Sequence, residues 1–183
     1  PENSQAYADL VAASGSERVK RILDLLRSNQ GWPLVKLVND RELAGVRLDE
    51  KDIATVKMLA GEGFIPPPAI RTSHAGTNHF IFGPRPGPIR LPPFKRPVYE
   101  AAMALVASVR QGQLLPARYA IHSPRALLRS FKEKGYIRAN TEALEQYRQV
   151  ANLRVGRLED TAIGWAKLTL IDLPENIQAV DLA

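Results

Sequence analysis

Residues 41–65 read RELAGVRLDEKDIATVKMLAGEGFI, and the punctuation of that stretch decides the fold. Asp49 stands at an N-cap position ahead of Ile53, Val56 and Ala60, which recur at helical spacing, and Gly61 and Gly63 close the pattern. Just before it, Asp40 is placed to cap a brief helix through Glu42-Leu43-Ala44. Phe64-Ile65 then leads toward a strand. The stretch predicts a short helix, a turn, a longer helix and an exit into extended chain.

Upstream, Ser14 and Glu17 have capping-box spacing, and Val19, Ile22, Leu23 and Leu26 recur along one face of a helix that ends near Gly31. After Trp32-Pro33, the apolar run Leu34 to Val38 reads as a short strand. Downstream, residues 69–82 read as a hairpin: Ala69 to His74, a turn at Ala75-Gly76-Thr77-Asn78, then His79 to Phe82. Six prolines between Pro84 and Pro97 remove amide donors and favour extended backbone, which marks a linker.

Beyond the linker the order of elements repeats. Pro97 opens a helix whose Val98, Ala101, Ala102, Leu105 and Val109 share a face, with Gly112 as its stop. Leu114 to Ile121 reads as a strand. Ser123-Pro124 begins a helix with Leu127, Leu128 and Phe131 inward and Arg125, Arg129 and Lys132 opposite, ending at Gly135. Asn140 or Thr141 caps a further helix with Leu144, Tyr147 and Ala151 inward. A second hairpin pairs Leu153–Leu158 with Ile163–Asp172, and the tail from Pro174 holds a helical turn or two.

Helix, short strand, helix, helix, hairpin resembles a winged helix, and the order occurs twice. The match is sharpest where Arg41-Glu42-Leu43-Ala44, a turn and then Asp49 to Ile65 resemble its helix pair and its exit into the wing. The fold expected is α+β and mainly helical, two tandem winged-helix units, each a three-helix core with a β-hairpin wing. The expected boundaries are a lead-in 1–15, a first unit 16–83, a linker 84–97, a second unit 98–173 and a tail 174–183. The resemblance implies DNA binding of the helix-turn-helix kind, the second helix of each pair in a major groove and the hairpin on the backbone or in a minor groove. Asp49, Glu50 and Asp52 at the start of the first such helix depart from that picture, since carboxylates there face phosphates unfavourably; they favour the helix dipole instead.

Charge supports a polyanion partner. Residues 1–62 carry nine Lys/Arg and ten Asp/Glu, residues 63–132 ten against Glu100 alone, and residues 133–183 six against eight, within a net +6 for 183 residues. Clustered cations gain by releasing counterions from phosphates. In the first hairpin Arg71, His74, Thr77, Asn78 and His79 form an acid-free polar tip able to donate to phosphate oxygens. In the second unit the candidates are Arg118, the stripe Arg125, Arg129 and Lys132, and then Arg148, Arg154 and Arg157. Trp32, Phe80, Phe82 and Trp165 read as core, although an aromatic on an exposed strand can stack single-stranded bases. The function expected is a non-catalytic DNA-binding module of a larger protein, with double-stranded DNA and other domains or subunits as partners. The alternative is a docking or dimerisation module built on winged helices.

Other classes find little support. No apolar run reaches the roughly 18 residues of a membrane-spanning helix. With no cysteine there is no disulfide or thiolate site, which fits an intracellular setting, cytoplasmic or nucleoid/nuclear; the chain opens on Pro1, as an excised piece of a longer protein does. Ser73-His74 is no nucleophile and base, because adjacent strand residues point to opposite faces. Gly83-Pro84-Arg85-Pro86-Gly87 lacks the amides and the Lys of a phosphate loop. No cofactor, metal or enzymatic activity is expected. His74, His79 and His122 are the only histidines, so a chelator should leave the melting temperature unchanged, and a drop of several degrees in a thermal melt would reveal a metal site.

Overall fold

The structure, a computed structural model, describes residues 12, 15–61, 68–83 and 93–183. The expected Ser14 cap, the Phe64-Ile65 exit and residues 84–92 of the expected linker lie outside these. The fold is α+β: 55% of the described residues are helical, and the strands form small antiparallel sheets. The chain divides into two compact units, Pro1–Pro67 with His79–Gly87, and Pro68–Asn78 with Pro88–Ala183.

In the first unit α1 (Ser16–Ser28) starts behind Gly15, its N-cap, rather than through a side-chain cap. It buries Val19, Ile22, Leu23 and Leu26, the stripe legible in the sequence. Gly31, at φ +69, turns the chain into β1 (Trp32–Pro33) and donates its N–H to Ile81 O at 2.8 Å. The apolar run expected as a strand is instead α2 (Leu34–Asp40). It buries Leu37 and leaves Val35 and Val38 exposed, because a short apolar run fits either period and neighbouring packing decides it.

The expected brief helix at Glu42 is a small hairpin, β2 (Glu42–Leu43) with β3 (Val46–Arg47). Ala44 at φ +52 and Gly45 at φ +86 supply the left-handed pair that a two-residue turn needs, and Glu42 Oε1 accepts from Gly45 N–H at 3.1 Å. Then comes α3 (Glu50–Gly61), closed by a reciprocal box: Asp52 N–H donates to Asp49 Oδ1 at 2.7 Å, and Asp49 N–H to Asp52 Oδ2 at 3.1 Å. Val56 and Leu59 face a core with Leu43, Leu48, Trp32, Ile81 and the α1 stripe. The first hairpin is made of β4 (Ala69–Thr72), in the Pro68–Asn78 segment of the second unit, and β5 (Gly76–Ile81), whose end from His79 belongs to the first; the sheet order is β1-β5-β4, with Trp32 opposite Ile81.

The second unit is organised around α4 (Arg96–Gln111), which follows a 3-10 turn at Pro93–Lys95 and is buried without interruption from Ala101 to Gln111. One apolar face was expected. No charged residue stands between Glu100 and Arg110, the pattern of a helix enclosed all round. Gly112 follows with an ordinary helical φ of −62, so the stop is not a left-handed cap. Its role is space: a Cβ there would lie 2.1 Å from Ile121 Cδ1. The segment expected as a strand is a 3-10 turn at Gly112–Leu114, a second turn at residues 117–119, and a return bond from Ile121 N–H to Gly112 O.

Helix α5 (Pro124–Lys134) matches expectation, with Ser123 capping Ala126 N–H and Gly135 left-handed at φ +71. The strand β6 (Tyr136–Asn140) was not expected, although Ile137 and Ala139 are buried and alternate with Tyr136 and Arg138. The helix expected at Asn140/Thr141 is a 3-10 run (Thr141–Tyr147) continued by α6 (Arg148–Asn152). Then β7 (Gly156–Ala162) and β8 (Trp165–Leu170) form the second hairpin, starting later than expected because Arg154, at φ +57, holds a turn. The sheet order is β6-β8-β7. The tail is α7 (Pro174–Leu182), packed on α4 through a face with buried Ala179 and Val180.

A common order emerges: helix, strand, helical segment, hairpin, with the last strand central. In the second half it runs from α5 to β8, one helix later than the sequence suggests, with α4 and α7 outside the repeat. In the first unit α3 is tied to α1 through Asp52, 2% exposed, which accepts from Arg18 Nη1 at 2.6 Å and Arg21 Nη2 at 2.5 Å. Asp52→Ala removes half the capping box, takes from Arg21 its bond to Asp52 and leaves Arg18 with Asp49. It should cost about 2–3 kcal/mol, read as a lower urea midpoint with an unchanged slope.

Candidate nucleic-acid interface

Helix α3 settles what its acids do. Arg18 Nη1 lies 2.8 Å from Asp49 Oδ1 and holds that carboxyl below its usual value, while Asp52 is inside the unit. Glu50 stands 3.4 Å from Arg41. What α3 exposes beyond Glu50 is Lys51, Ala54, Lys57 and Met58, residues within about 120° of one another at 100° per residue. Two lysines beside a small and a flexible side chain make a surface that can approach phosphates, and the sequence reading missed both. Their spacing with Ala54 was the available signal.

The first hairpin is less free than its sequence suggested. Arg71, His74, Thr77 and His79 are exposed, but Asn78 is buried and its Nδ2 donates to Ala75 O at 3.0 Å, so it shapes the turn and is not presented to a ligand. An acid also reaches the tip: Glu145, from the 3-10 run, accepts from Ser73 N–H at 2.6 Å and from Ser73 Oγ at 2.9 Å. Those bonds, with smaller help from Arg148 and His74, hold its carboxyl below the usual glutamate range. Fold geometry brings His74 and Arg148 to the same carboxylate from positions far apart in sequence.

The α5 stripe is present and partly used. Arg125, Arg129 and Lys132 are all exposed, and Lys132 Nζ pairs with Asp181 Oδ1 of α7 at 2.8 Å. Arg110, at the end of α4, is largely buried; that burial and the charge of Arg125 both press its pKa down. Arg118 lies over the Tyr119 ring, 5.3 Å from its centroid. Arg154 is exposed at its left-handed position, and Arg157 pairs with Glu159 at 2.9 Å. Of the twelve sequence candidates, Asn78 is internal and the other eleven are exposed, Lys132 and Arg157 among them within ion pairs.

On the outward face of the second sheet lie two cations the sequence did not single out, and an aromatic that it did. Arg138 and Lys167 are register partners on β6 and β8, and Trp165, expected in the core, is 54% exposed. Among the described residues no group of three His, Cys, Asp or Glu side chains could hold a metal ion, and no helix is long and apolar enough to cross a membrane. Compared with known protein families, curated proteins and solved structures, the chain matches none.

Because the Glu145 pKa is depressed, its bond to Ser73 is complete above the ordinary carboxylate range and is lost only as pH falls through the depressed value. The Ser73 amide proton shift, followed by NMR, should titrate below the normal glutamate midpoint. An inflection at or above that midpoint would mean that the bond is not formed.

Proposed function

We propose that the chain is a non-catalytic DNA-binding module made of two winged-helix units, meeting the duplex mainly through its phosphates. The observation that carries this reading is the state of α3: its acids are taken up by the capping box and by Arg18, Arg21 and Arg41, and its outward face keeps Lys51 and Lys57. The shared strand order supports the winged-helix part, since in each sheet the strand before the helical segment lies beside the final strand of the hairpin. The second unit differs in its use of the helices. Arg125 and Arg129 lie on α5, the first helix of its repeat, so they are read as backbone contacts and not as a recognition surface. Phosphate contacts of this kind position a protein on DNA without reading its sequence.

Docking is the second reading, and Phe94, 75% exposed, and Leu173, 47% exposed, favour it. Salt-dependent binding separates the two. The parent should bind unrelated duplexes with similar affinity, and Arg125→Ala with Arg129→Ala should flatten the log–log salt slope by up to about two units, at roughly 0.9 per lost phosphate contact. Lys132 is left in place because it holds Asp181. Lys51→Ala with Lys57→Ala should act likewise. Unchanged affinity in both pairs, or no duplex binding by the folded parent at low salt, would favour docking.

A further inference from the structure

We propose that the outward face of the β6-β8-β7 sheet is a stacking platform for single-stranded nucleic acid. Alternation sends Ile137, Ala139, Ala166 and Leu168 inward and leaves Tyr136, Arg138, Trp165 and Lys167 on the other side. These four, with Thr161, line a concavity of about 480 Å³ that has no carboxylate in its wall. Trp165, a large ring 54% exposed, is at one end. Tyr136 is four residue steps away along the strands, about 13 Å at 3.3 Å per residue. Between them stands the cationic row, Lys167 paired in register with Arg138. Lys167 Nζ also lies 4.5 Å from the Tyr136 ring centroid, which holds the ammonium over the platform.

The acid opposite Lys167 is already engaged. Glu159 is opposite Lys167 on β7, but its Oε1 accepts from Arg157 Nε at 2.9 Å and its Oε2 from Thr169 Oγ1 at 3.0 Å. The face therefore offers π surface at its ends and positive charge at its centre. An unpaired strand has the complementary pattern, bases to stack and phosphates between them. An apolar protein surface fits less well, because it would bury Arg138 and Lys167 without partners. A closed duplex fits less well too, since its bases are stacked on one another. The inference goes beyond the duplex reading and does not need it.

The chain carries its own probe. Its two tryptophans are Trp32, 8% exposed in the first unit's core, and Trp165, so a stacked base should quench Trp165 emission while Trp32 supplies a constant background. Titration of the full chain with short oligo(dT) at low salt should give saturable quenching, and a duplex closed by loops that bind poorly on their own should give none. Oligo(rU) in a parallel titration distinguishes DNA from RNA as the preferred strand. Trp165→Ala should weaken oligo(dT) binding by roughly 5- to 100-fold in anisotropy, with Trp165→Phe retaining most of the affinity. Arg138→Ala should reduce the salt slope by about 0.7. Absence of quenching, equal quenching by the closed duplex, or parental affinity in both Trp165→Ala and Arg138→Ala would overturn the proposal. Loss of duplex binding by the α3 or α5 variants, with quenching intact, would leave it standing.

Discussion

In both sheets the last strand of the hairpin lies between two others, and the remainder of each repeat follows from that placement. A central strand must satisfy its amides and carbonyls on both sides, so it needs a partner other than its own hairpin mate. The partner is the strand that follows the first helix: two residues, Trp32 and Pro33, in one case and five, Tyr136 to Asn140, in the other. To return to the sheet after that early strand, the chain must cross over through a helical segment. One crossover contains α2, a tiny hairpin and α3. The other is a 3-10 run with the five-residue α6. The unequal crossovers explain why the two halves present different helices to solvent, and why cations in the second half collect on α5 and on the sheet.

Electrostatics inside the first unit decides what its surface displays. A carboxylate at a helix start can face solvent, where it repels phosphates, or turn back onto the backbone amides. Asp49 and Asp52 do the latter and also meet Arg18 and Arg21 of α1. The arrangement fixes the α1–α3 packing and removes negative charge from the exposed face. It spends two arginines to do so, and the lysines that remain outward are Lys51 in the first turn of α3 and Lys57 beyond its midpoint.

The sequence was most informative where a periodic stripe had a cap at either end. Helix α5 was legible in this way and α1 through its stripe alone, and the hairpin turn at Gly76 was legible too, because Pro124 fixes its φ while Gly135 and Gly76 take the left-handed conformation that other residues avoid. Short apolar runs were not legible. Leu34 to Val38 became a helix and Leu114 to Ile121 became turns, since five to eight residues contain too few repeats to separate a period of 2 from one of 3.6. Strand β6 was readable but hidden behind the helix expected after it. For the candidate interface, exposure of the arginines followed from their sequence neighbours, whereas Glu145 on the hairpin tip and Asp181 on Lys132 are products of long-range folding. The outward position of Trp165 follows from its alternation, with Lys167 and Thr169, against Ala166, Leu168 and Leu170, a parity that is legible in the sequence and outweighs the ring's hydrophobicity.

Charge counted along a chain is a poor guide to charge on a surface, and residues 63–132 illustrate the difference. Within that strongly basic stretch Arg96 is paired with Glu100, Arg110 is largely buried, and Lys132 meets Asp181, an acid from outside the stretch. The cations most available in geometry include Lys51 and Lys57 from a segment that is acidic overall, and Arg138 and Lys167 from another. Arg138 and Lys167 are neighbours in one strand row, so the field they create is concentrated over a few ångströms, where screening by salt is weakest, whereas Lys51 and Lys57 are spread over about 9 Å of α3. A partner with closely spaced phosphates responds to that local density, not to the sum over seventy residues. The acidic flanks can therefore take part in polyanion binding as readily as the basic centre, provided that their own acids are buried as Asp52 is or ion-paired as Asp49 and Glu159 are.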